Sequence, residues 1–445
     1  MKNILIIGAG RSATALIKYV LDNAEKVGWF VTVADADPAL ANEKVGNHPY
    51  GRAIWLDATK PNDRKAIIER ADVVVSLLPA SLHYEVAQEC ILLKKHLVTA
   101  SYVSQELYRL SEQVRNSDLV FMGEMGLDPG IDHMSAMRVI DEIKDRGGVL
   151  TAFSSFAGGL VSPDCDTNPW HYKISWNPRN VVLAGRGTAQ YLEDGKHKYV
   201  PYHRLFKEHR IIDIPGVGPM EVYPNRDSLL YKEVYGLDGI PNLIRGTLRY
   251  PGFCDAWHAL VQIGLTDDSF PITDCAELTY LELMEAFVGD APGKNVREKV
   301  ANLLEEELES QVMQQLEWLG LFQRKKIGLK PSSPATILEH LIVDKWKLGK
   351  QDRDWIVMYH EFEYKLGGKK YLKKSVMTLE GDNPVYTAMA KLVGLPLGIF
   401  VKYLVTGGIR ESGVQIPVKK SIYEPVMKEL ESFGVVFRET ETLIK

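Results

Sequence analysis

Short apolar runs alternate with amphipathic segments along the first 120 residues of the chain. Strand-length, mostly apolar runs stand at residues 4–7, 29–34, 53–57, 72–78, 97–101 and 119–122, and they are typical of strands buried on both faces of a sheet. Amphipathic segments at residues 14–23, 63–70 and 83–94 predict helices between them. This alternation predicts an α/β fold with a doubly wound parallel sheet, whose ligands bind at the carboxyl ends of the strands.

A glycine motif stands at the first of these strand ends. Gly8, Gly10 and Ala13 follow the first predicted strand and precede the first predicted helix, in the pattern G-x-G-x-x-A. Gly8 permits a tight turn, Gly10 leaves room for a pyrophosphate, and Ala13 lets the helix lie close to the strand. In this context the motif predicts a Rossmann-type dinucleotide site. The alternative is a tight turn in a sheet that binds nothing.

An acidic residue ends the second predicted strand. Asp35 stands about 20 positions beyond the glycines, where a carboxylate accepts hydrogen bonds from the adenosine ribose and repels a 2′-phosphate. We therefore expect NAD as the cofactor, with NADP the less favoured of the two. The alternative role of Asp35 is to cap the turn at Asp37 and Pro38, and both roles can hold together.

Beyond residue 148 the pattern indicates a second α/β region that holds a helical block. Strands are predicted at residues 149–156, 180–183, 355–364 and 371–379, the last two as a hairpin. Residues 256–350 are predicted to be helical, with one long helix at 295–322. The glutamates within 305–309 are interpreted as the solvated face of that helix.

The end of the chain is expected to return to the first region. A helix is predicted at residues 384–393, then a helix at 424–433 and a strand at 435–437 that rejoin the dinucleotide-binding region. Three domains follow from these expectations. They are residues 1–125 with 398–445, residues 126–255 with 351–397, and a helical insertion of residues 256–350.

Composition narrows the class of protein. Of the 445 residues, 45% are hydrophobic and 25% are charged, which is typical of a globular protein. The net charge of −5 argues against a dedicated nucleic-acid binder, and no apolar run is expected to span a membrane. The scattered cysteines, without a C-x-x-C pair, indicate a reducing compartment and no zinc site: Cys90, Cys165, Cys254 and Cys275. Since we expect no secretory signal either, the prediction is a cytoplasmic enzyme.

Three polar clusters stand in predicted loops of the second region. They span residues 171–179, 223–228 and 245–252, and they contain Arg179, Arg226, Arg245 and Arg249. Guanidinium groups bind carboxylates through paired hydrogen bonds, so these clusters suit a substrate with several carboxylates. The alternative is that the arginines form ion pairs with residues such as Asp227 and that the aromatic residues only pack.

With two further stretches, these clusters resemble the motifs of the glutamate-forming saccharopine dehydrogenases, also called saccharopine reductases. The matching stretches are long and cover nearly the whole chain in the same order: Gly126 to His133, Lys173 to Arg179, Tyr223 to Ser228, Arg245 to Gly252 and Thr387 to Pro396. The resemblance implies a Rossmann domain completed by the C-terminus, an α/β substrate-binding and dimerisation domain, and an inserted helical domain. It also suggests a homodimer.

The resemblance implies a reaction as well. Saccharopine is a secondary amine that joins lysine and glutamate skeletons. Its oxidation would give an imine, which water splits into L-glutamate and 2-aminoadipate 6-semialdehyde. NADP-using fungal members carry a basic residue where this chain has Ala34, Asp35 and Ala36, which again favours NAD and a catabolic direction.

Family contacts and the matching motifs give two sets of expected site residues. The expected cofactor contacts are Gly8, Gly10, Arg11, Ser12, Ala13, Asp35, Asp57, Leu78, Pro79 and Ser101. The expected substrate contacts are Ser101, Tyr102, Asp128, Lys173, Trp176, Arg226, Arg245, Thr247, Leu248 and Arg249.

The reaction requires the amine to lose a proton and water to be activated. Asp128 and Tyr102 are the candidates for general base and proton relay, with Lys173 and His171 in reserve. His133 is interpreted as a cap or packing residue, and no metal is expected. Two alternatives stay open: an imine reductase like the carboxynorspermidine and homospermidine synthases, and a non-catalytic dinucleotide-binding sensor. The expected partner is a small molecule, with neither a nucleic acid nor a membrane.

Overall fold

A computed structural model describes residues 1–444 of the chain. Its strands, in chain order, are β1 (Lys2–Ile7), β2 (Trp29–Asp35), β3 (Gly51–Trp55), β4 (Val73–Ser76), β5 (His96–Thr99), β6 (Val120–Met122), β7 (Val149–Val161), β8 (Ala189–Glu193), β9 (Lys196–Val200), β10 (Arg210–Ile214), β11 (Gly218–Pro224), β12 (Asn242–Arg249), β13 (Asp354–Leu366), β14 (Lys369–Glu380), β15 (Gly413–Gln415) and β16 (Arg438–Ile444). Its α-helices are α1 (Ala13–Asp22), α2 (Ala24–Val27), α3 (Pro38–Val45), α4 (Pro61–Ile68), α5 (His83–Leu93), α6 (Gln105–Arg109), α7 (Ser111–Asn116), α8 (Ile131–Asp145), α9 (Pro178–Val182), α10 (Tyr202–Leu205), α11 (Leu230–Val234), α12 (Phe253–Ile263), α13 (Tyr280–Val288), α14 (Val296–Leu304), α15 (Gln311–Leu319), α16 (Pro334–Lys345), α17 (Ala388–Val405) and α18 (Lys420–Glu431).

The chain divides into two compact units, each built from several segments. Unit 1 holds Met1–Val149, Leu366–Gly368 and Met377–Arg438, and unit 2 holds Leu150–Lys365, Lys369–Val376 and the residues from Glu439 onward. The first boundary therefore falls at Val149 and not at the expected residue 125.

The sheet of unit 1 has the order β15-β6-β5-β4-β1-β2-β3, and its strands are paired in parallel. The predicted α/β fold with a doubly wound parallel sheet is thus confirmed. Residues Ile4 to Ile7 of β1 are buried, since helices cover both faces, and this is why the strand is a continuous apolar run. β1 pairs with β2 on one side and β4 on the other, so the glycine motif after β1 lies where the strand order reverses.

Helix α17 explains why unit 1 extends beyond residue 377. It packs against α1, and Gly394 allows the close approach, because a Cβ at this position would lie 2.6 Å from the backbone nitrogen of Leu16. Helices α8 and α18 also pack together, and the Tyr423 hydroxyl donates to Asp141 at 2.7 Å. Helices α8 and α17 therefore belong to unit 1, whereas the expected domain limits placed α8 and the part of α17 before residue 398 outside the dinucleotide-binding domain.

The sheet of unit 2 has the order β10-β11-β12-β7-β13-β14-β16, with β8 and β9 attached through β12. Strands β13 and β14 flank Gly367 and Gly368, as predicted for a hairpin. The C-terminal strand β16 lies at one end of this sheet. The strand expected at residues 435–437 in the first sheet is therefore replaced by a strand at Arg438–Ile444 in the second.

The helical block of residues 256–350 shares its core with the rest of unit 2. Buried side chains of this block, among them Trp257 and Trp346, pack with Trp170, Tyr172 and Phe206 from earlier loops. The ring centroids of Trp170 and Trp346 are 5.2 Å apart. Because the block has no core of its own, the structure includes it in unit 2 and does not separate it as an inserted domain.

Two predicted elements take a different form. Residues 178–182 form helix α9 and not a strand, because the Asn177 side chain accepts the backbone N–H of Arg179 as an N-cap and Pro178 starts the first turn. The helix predicted at 295–322 is two helices, α14 and α15. Helix α14 ends at Leu304, and its C-cap residue Glu305 has a φ of 58°. The glutamates within 305–309 therefore lie in a connecting loop.

Helix α17 is an exception to the expectation that no apolar run of the chain could span a membrane. Its 18 residues have a mean hydropathy of 1.6, so by length and composition it is long and apolar enough to cross a membrane. In the structure, 61% of the segment is buried, and its two lysines, Lys391 and Lys402, pair with Asp382 and Glu429. These are the contacts of a core helix, and core helices can be equally long and apolar.

We expect Gly394→Ala to lower the free energy of unfolding by about 1–3 kcal/mol, because the added methyl group meets the backbone of α1 and not a flexible side chain. Denaturation in urea measures this difference. The matched control is Gly10→Ala, since a Cβ there would meet nothing within 4 Å. The control should stay within about 0.5 kcal/mol of the wild type. Equal losses in the two variants would contradict the importance of the α1–α17 approach.

Candidate functional site

The loop between β1 and α1 has the shape that a dinucleotide requires. Gly8 has a φ of 105°, and a Cβ there would lie 3.1 Å from the carbonyl oxygen of Leu77. A Cβ on Gly10 would project into open space. Ser12 makes no side-chain cap, so the first N–H groups of α1 are not capped by it. An open space beside a helix N-terminus suits a pyrophosphate, so the residues present fit a dinucleotide cofactor.

The carboxylate of Asp35 is engaged by the protein backbone. Its Oδ2 accepts the N–H of Ala9 at 2.6 Å, and its Oδ1 accepts the N–H of Asp37 at 2.8 Å. Asp35 thus fixes the glycine loop and the turn that leads into α3. The capping role that the sequence left open is the one for which the structure gives direct contacts.

Lys44 places a cation beside the same loop. Its Nζ donates to the carbonyl oxygen of Gly10 at 2.5 Å and to Oγ1 of Thr14 at 2.9 Å. Burial lowers the pKa of Lys44 to about 8, while the carboxylates of Glu43 and Asp35 act in the opposite direction. Sequence reasoning missed Lys44, because nothing in its spacing connects α3 with the glycine motif.

The other expected cofactor residues of unit 1 lie at or just beyond the carboxyl ends of neighbouring strands. Asp57 follows β3, and its Oδ1 accepts the N–H and hydroxyl of Thr59, which lowers the pKa of this carboxyl group. Leu78 and Pro79 follow β4. Leu78 packs against the core of unit 1, and Pro79 is exposed. Arg11 is exposed beside Gly10.

Tyr102 and Asp128, the two catalytic candidates, are in contact. The Tyr102 hydroxyl donates to Oδ1 of Asp128 at 3.3 Å, and both side chains are half-buried. Asp128 is held in a tight turn in which the N–H of Gly126 donates to the carbonyl oxygen of Pro129 at 3.0 Å. Gly130 has a φ of 147°, and a Cβ there would lie 2.1 Å from the carbonyl oxygen of Gly126. The turn therefore depends on glycine and fixes the place of Asp128.

The buried side chains of Glu124 and His133 lie next to the segment that carries Tyr102. Glu124 accepts the N–H of Val103 through Oε1 at 3.1 Å, and its Oε2 lies 2.8 Å from Nε2 of His133. His133 is fully buried and 3.7 Å from Asp132. It packs and bonds inside unit 1, in agreement with a packing role. No pattern in the sequence singles out Glu124, whose contact with the N–H of Val103 fixes the backbone next to Tyr102.

His83 forms a second polar contact set at the strand ends. Its Nδ1 lies 3.1 Å from Oγ of Ser76, and its Nε2 lies 2.8 Å from Oγ of Ser101 and 3.3 Å from Oγ1 of Thr99. The ring is 5% exposed, and burial lowers the pKa of His83 to about 4. Ser101 was an expected site residue, whereas His83 was not.

In unit 2, Arg249 has a buried guanidinium without a carboxylate partner among residues 1–444. The group lies over the rings of Tyr172, Phe253 and Tyr223, with distances to the ring centroids of 5.2, 5.2 and 5.9 Å. Its Nε has no hydrogen-bond partner. Burial raises the pKa of Tyr223 to about 12, so this phenol stays neutral and does not compensate the charge. A buried cation in this state favours an incoming carboxylate.

The residues near Arg249 in sequence differ in what they can offer a ligand. Arg245 is buried with its guanidinium 4.2 Å from the ring centroid of Tyr231, whereas Arg226 is exposed and has a φ of 52°. Thr247 is half-buried. The Leu248 side chain is fully buried in the sheet, so only its backbone is left to contact a ligand.

The first polar cluster of unit 2 is largely engaged in contacts within the unit. Lys173 is buried and its Nζ donates to Asp352 at 2.7 Å, and Trp176 donates to the hydroxyl of Tyr172 at 3.0 Å. His171 Nδ1 lies 2.6 Å from Asp166, and Arg179 pairs with Asp268 and Glu339. For Arg179 the ion-pair alternative therefore holds.

One group in unit 2 has the composition of a metal site. Ligand atoms of His209, Glu221 and Asp255 lie within 4.8 Å of one another. Each oxygen of Glu221 accepts a backbone N–H at the start of α12, from Gly252 at 2.6 Å and from Cys254 at 2.8 Å. Glu221 thus serves as a cap of that helix.

Two family models match consecutive parts of the chain. The first, "Saccharopine dehydrogenase NADP binding domain", covers residues 4–121, and the second, "Saccharopine dehydrogenase C-terminal domain", covers residues 126–435. The chain is 34% identical to a saccharopine dehydrogenase (NADP(+), L-glutamate-forming) of Pyricularia oryzae, with 98% of each chain covered. It is also 33% identical to the bovine mitochondrial alpha-aminoadipic semialdehyde synthase, but it spans only 48% of that protein.

Comparison with solved structures also finds a saccharopine dehydrogenase. An apo saccharopine dehydrogenase (L-Glu forming) from Saccharomyces cerevisiae matches with a TM-score of 0.88 and 31% identity, over 99% of this chain and 100% of that chain. A homospermidine synthase from Legionella pneumophila matches with a TM-score of 0.56 and 12% identity. At that identity the second match shows a shared fold alone.

The expectation of NAD is wrong. The family model over residues 4–121 is that of an NADP binding domain, and the fungal relatives that match along their whole length carry NADP(+) in their names. The physical reason lies in the contacts of Asp35. Its two oxygens each accept a backbone N–H, and Lys44 brings a positive charge to the same loop. An acidic residue with these partners does not exclude a 2′-phosphate.

We expect the stability of the protein to fall in mild acid partly through His83. The pKa of its ring is about 4 in the folded protein against 6.5 for a free histidine, so the unfolded chain takes up the proton first as the pH falls. Between pH 6.5 and 4.5, the wild type should lose about 2 kcal/mol more than His83→Phe. Denaturant unfolding at each pH measures the difference. His197→Phe, at an exposed histidine, should follow the wild type, and parallel pH curves for wild type and His83→Phe would contradict the prediction.

Proposed function

Since its matches cover residues 4–435, this chain belongs to the saccharopine dehydrogenase family, and we propose that it catalyses the NADP-dependent, L-glutamate-forming oxidation of saccharopine. The observation that carries this proposal is the 34% identity to a fungal enzyme of that name along 98% of both chains. The longer semialdehyde synthases contain a further region that this chain does not span, so only the activity of the shared part is proposed.

The proposed reaction removes a hydride and a proton from one C–N bond. The hydride leaves the carbon beside the secondary nitrogen, the proton leaves the nitrogen, and the resulting imine adds water. Cleavage of the adduct gives L-glutamate and 2-aminoadipate 6-semialdehyde. When bound, the oxidised nicotinamide supplies the acceptor for the hydride. The glycine loop with Gly8 and Gly10, the N-terminus of α1 and Arg11 would hold this cofactor.

We assign the proton transfer to Asp128 and its partner Tyr102. The Asp128 carboxylate accepts the amine proton directly or through Tyr102. In the relay, the Tyr102 hydroxyl passes its own proton to Oδ1 of Asp128, 3.3 Å away, as its oxygen takes up the proton from the amine. The glycine-dependent turn at residues 126–131 supports this assignment, because it fixes Asp128 near the strand ends of the dinucleotide sheet. Lys173 and His171, the reserve candidates, already pair with Asp352 and Asp166.

We assign recognition of a substrate carboxylate to Arg249. Saccharopine carries several carboxylates, and Arg249 offers a buried cation that lacks a carboxylate partner among residues 1–444. Arg226, Arg245 and Thr247 belong to the same proposed set. Trp176 and the side chain of Leu248 pack inside unit 2, so we give them no direct part in binding. The homodimer and the cytoplasmic location stay predictions, and light scattering in solution tests the first.

The purified protein should reduce NADP when saccharopine is added, with a rise in absorbance at 340 nm. Asp128→Asn should lower kcat by about 100-fold or more, because an amide does not accept the amine proton. The KM for saccharopine should change far less than kcat. Tyr102→Phe should give a smaller loss of kcat, since it removes only the hydroxyl relay.

Two matched controls accompany these variants. Tyr108→Phe removes the hydroxyl of an exposed tyrosine close in sequence to Tyr102, and Asp118→Asn neutralises an exposed acid near Asp128; both should behave as the wild type. A kcat of Asp128→Asn within a few-fold of the wild type would remove the base assignment. Oxidation of a polyamine conjugate, with no reduction of NADP by saccharopine, would contradict the proposed function itself.

The preference for NADP should depend on the positive charges beside the glycine loop. Arg11→Ala should raise the KM for NADP by about tenfold or more and leave the KM for NAD nearly unchanged, because the 2′-phosphate is the only group that differs. Lys44→Met should also raise the KM for NADP more than the KM for NAD. Lys18→Ala, an exposed lysine of α1 that pairs with Asp22, is the control and should have no effect. An equal rise in the KM for NADP and the KM for NAD would show that these residues shape the loop but do not recognise the 2′-phosphate.

A further inference from the structure

The imidazole of His83 bridges the carboxyl ends of two adjacent strands in unit 1. Ser76 at the end of β4 and Thr99 at the end of β5 are paired in register, and the ring reaches both. Its Nε2 also lies 2.8 Å from the hydroxyl oxygen of Ser101, two residues beyond β5. Nδ1 thus faces the buried hydroxyl of Ser76, whereas Nε2 faces both the buried hydroxyl of Thr99 and the half-buried hydroxyl of Ser101.

The partners of the ring define what it can do. Among the described residues, every hydrogen-bonding group that faces the ring is a neutral hydroxyl: Ser76 from β4, Thr99 from β5 and Ser101 from the segment after β5. No carboxylate or cation pairs with His83 among residues 1–444. In a neutral imidazole one nitrogen donates and the other accepts, so Ser76 and Ser101 receive opposite hydrogen-bonding roles.

The backbone of Ser101 is held by a contact that does not involve His83. Rotation of the Ser101 side chain is therefore what the ring can restrict. The N–H of Ser101 donates to Oγ1 of Thr99 at 3.2 Å. Without the ring, the hydroxyl oxygen would move among the staggered rotamers open to a half-buried serine. The contact at 2.8 Å holds it in one of them.

We propose that His83 is a positioning residue: its neutral ring, anchored between Ser76 and Thr99, orients the hydroxyl of Ser101 toward the saccharopine substrate. This inference rests on the proposed function and on the sequence-based expectation that Ser101 contacts the substrate. His83 acts on the substrate only through Ser101. Its removal therefore weakens substrate binding and leaves the proton transfer at Asp128 in place.

Two amide variants test the two nitrogens of the ring one at a time. His83→Asn places an amide near the position of Nδ1, so it keeps a partner for Ser76 and loses the Nε2 contacts with Ser101 and Thr99. His83→Gln extends an amide toward the position of Nε2 and can reach Ser101. We expect His83→Asn to raise the KM for saccharopine by about tenfold, the equivalent of one hydrogen bond. The KM for NADP and kcat should change by less than about threefold, and His83→Gln should restore most of the loss.

A double-mutant cycle tests whether the effect passes through Ser101. Ser101→Ala alone should raise the KM for saccharopine by a similar factor, and His83→Asn should add nothing in that background. Losses that multiply in the double variant would overturn the proposal. So would an equal rise in the KM for NADP, because the ring would then support the cofactor loop, and so would a failure of His83→Gln to do better than His83→Asn.

A spectroscopic readout keeps this test separate from the proposed function. If the wild type does not oxidise saccharopine, the proposed function fails on its own. The ring contact is still measured by the ¹⁵N chemical shifts of His83 at neutral pH in the wild type and in Ser101→Ala. We expect a neutral ring whose Nε2 shift changes in the variant while Nδ1 changes little. An Nε2 shift that is the same in both proteins would overturn the orienting contact.

Discussion

The parallel pairing of β1 between β2 and β4 is the constraint on which the proposed chemistry of unit 1 depends. Parallel strands that share a register end at the same edge of a sheet. The glycine loop, Asp35, His83 and Ser101 follow four such strands, and the turn with Asp128 follows β6. None of these residues is close to all the others in sequence. Their proximity is a property of the strand order.

Polar residues at this edge act through specific partners, and the partners decide their roles. Asp35 has the position of a ribose ligand, yet its oxygens are bound to the N–H groups of Ala9 and Asp37. Nothing in the sequence near Ser101 predicts a partner for its hydroxyl, yet the buried ring of His83 holds it. In unit 2, Lys173 and Arg249 differ in the same way. Lys173 has Asp352 as its counter-ion, whereas Arg249 has no carboxylate partner among residues 1–444: it lies over aromatic rings and donates to the carbonyl oxygen of Leu248 at 2.8 Å.

These partners also explain which parts were predictable from the sequence. The strands of the first sheet and the glycine motif were predicted because apolar runs and missing side chains are local signals. Glu124, His83 and Lys44 were missed, because their meaning lies in contacts with other segments of the chain. The break between α14 and α15 was missed for a different reason. It occurs at Glu305, a residue that carries no turn signal despite its left-handed conformation. The expected domain limits differ from the two units, because the contacts of α17 with α1 and of α8 with α18 join segments that are far apart in the sequence.

The path of the chain through the two units has a consequence for how the molecule is made. The polypeptide enters unit 2 at Leu150, returns to unit 1 for α17, β15 and α18, and ends as a border strand of unit 2. Neither unit is therefore formed by one contiguous segment of the chain. During synthesis on the ribosome, the first sheet lacks its strand β15 until more than 400 residues have been assembled. Deletion of the last few residues would damage the unit that was translated in the middle, and not the one translated beside them.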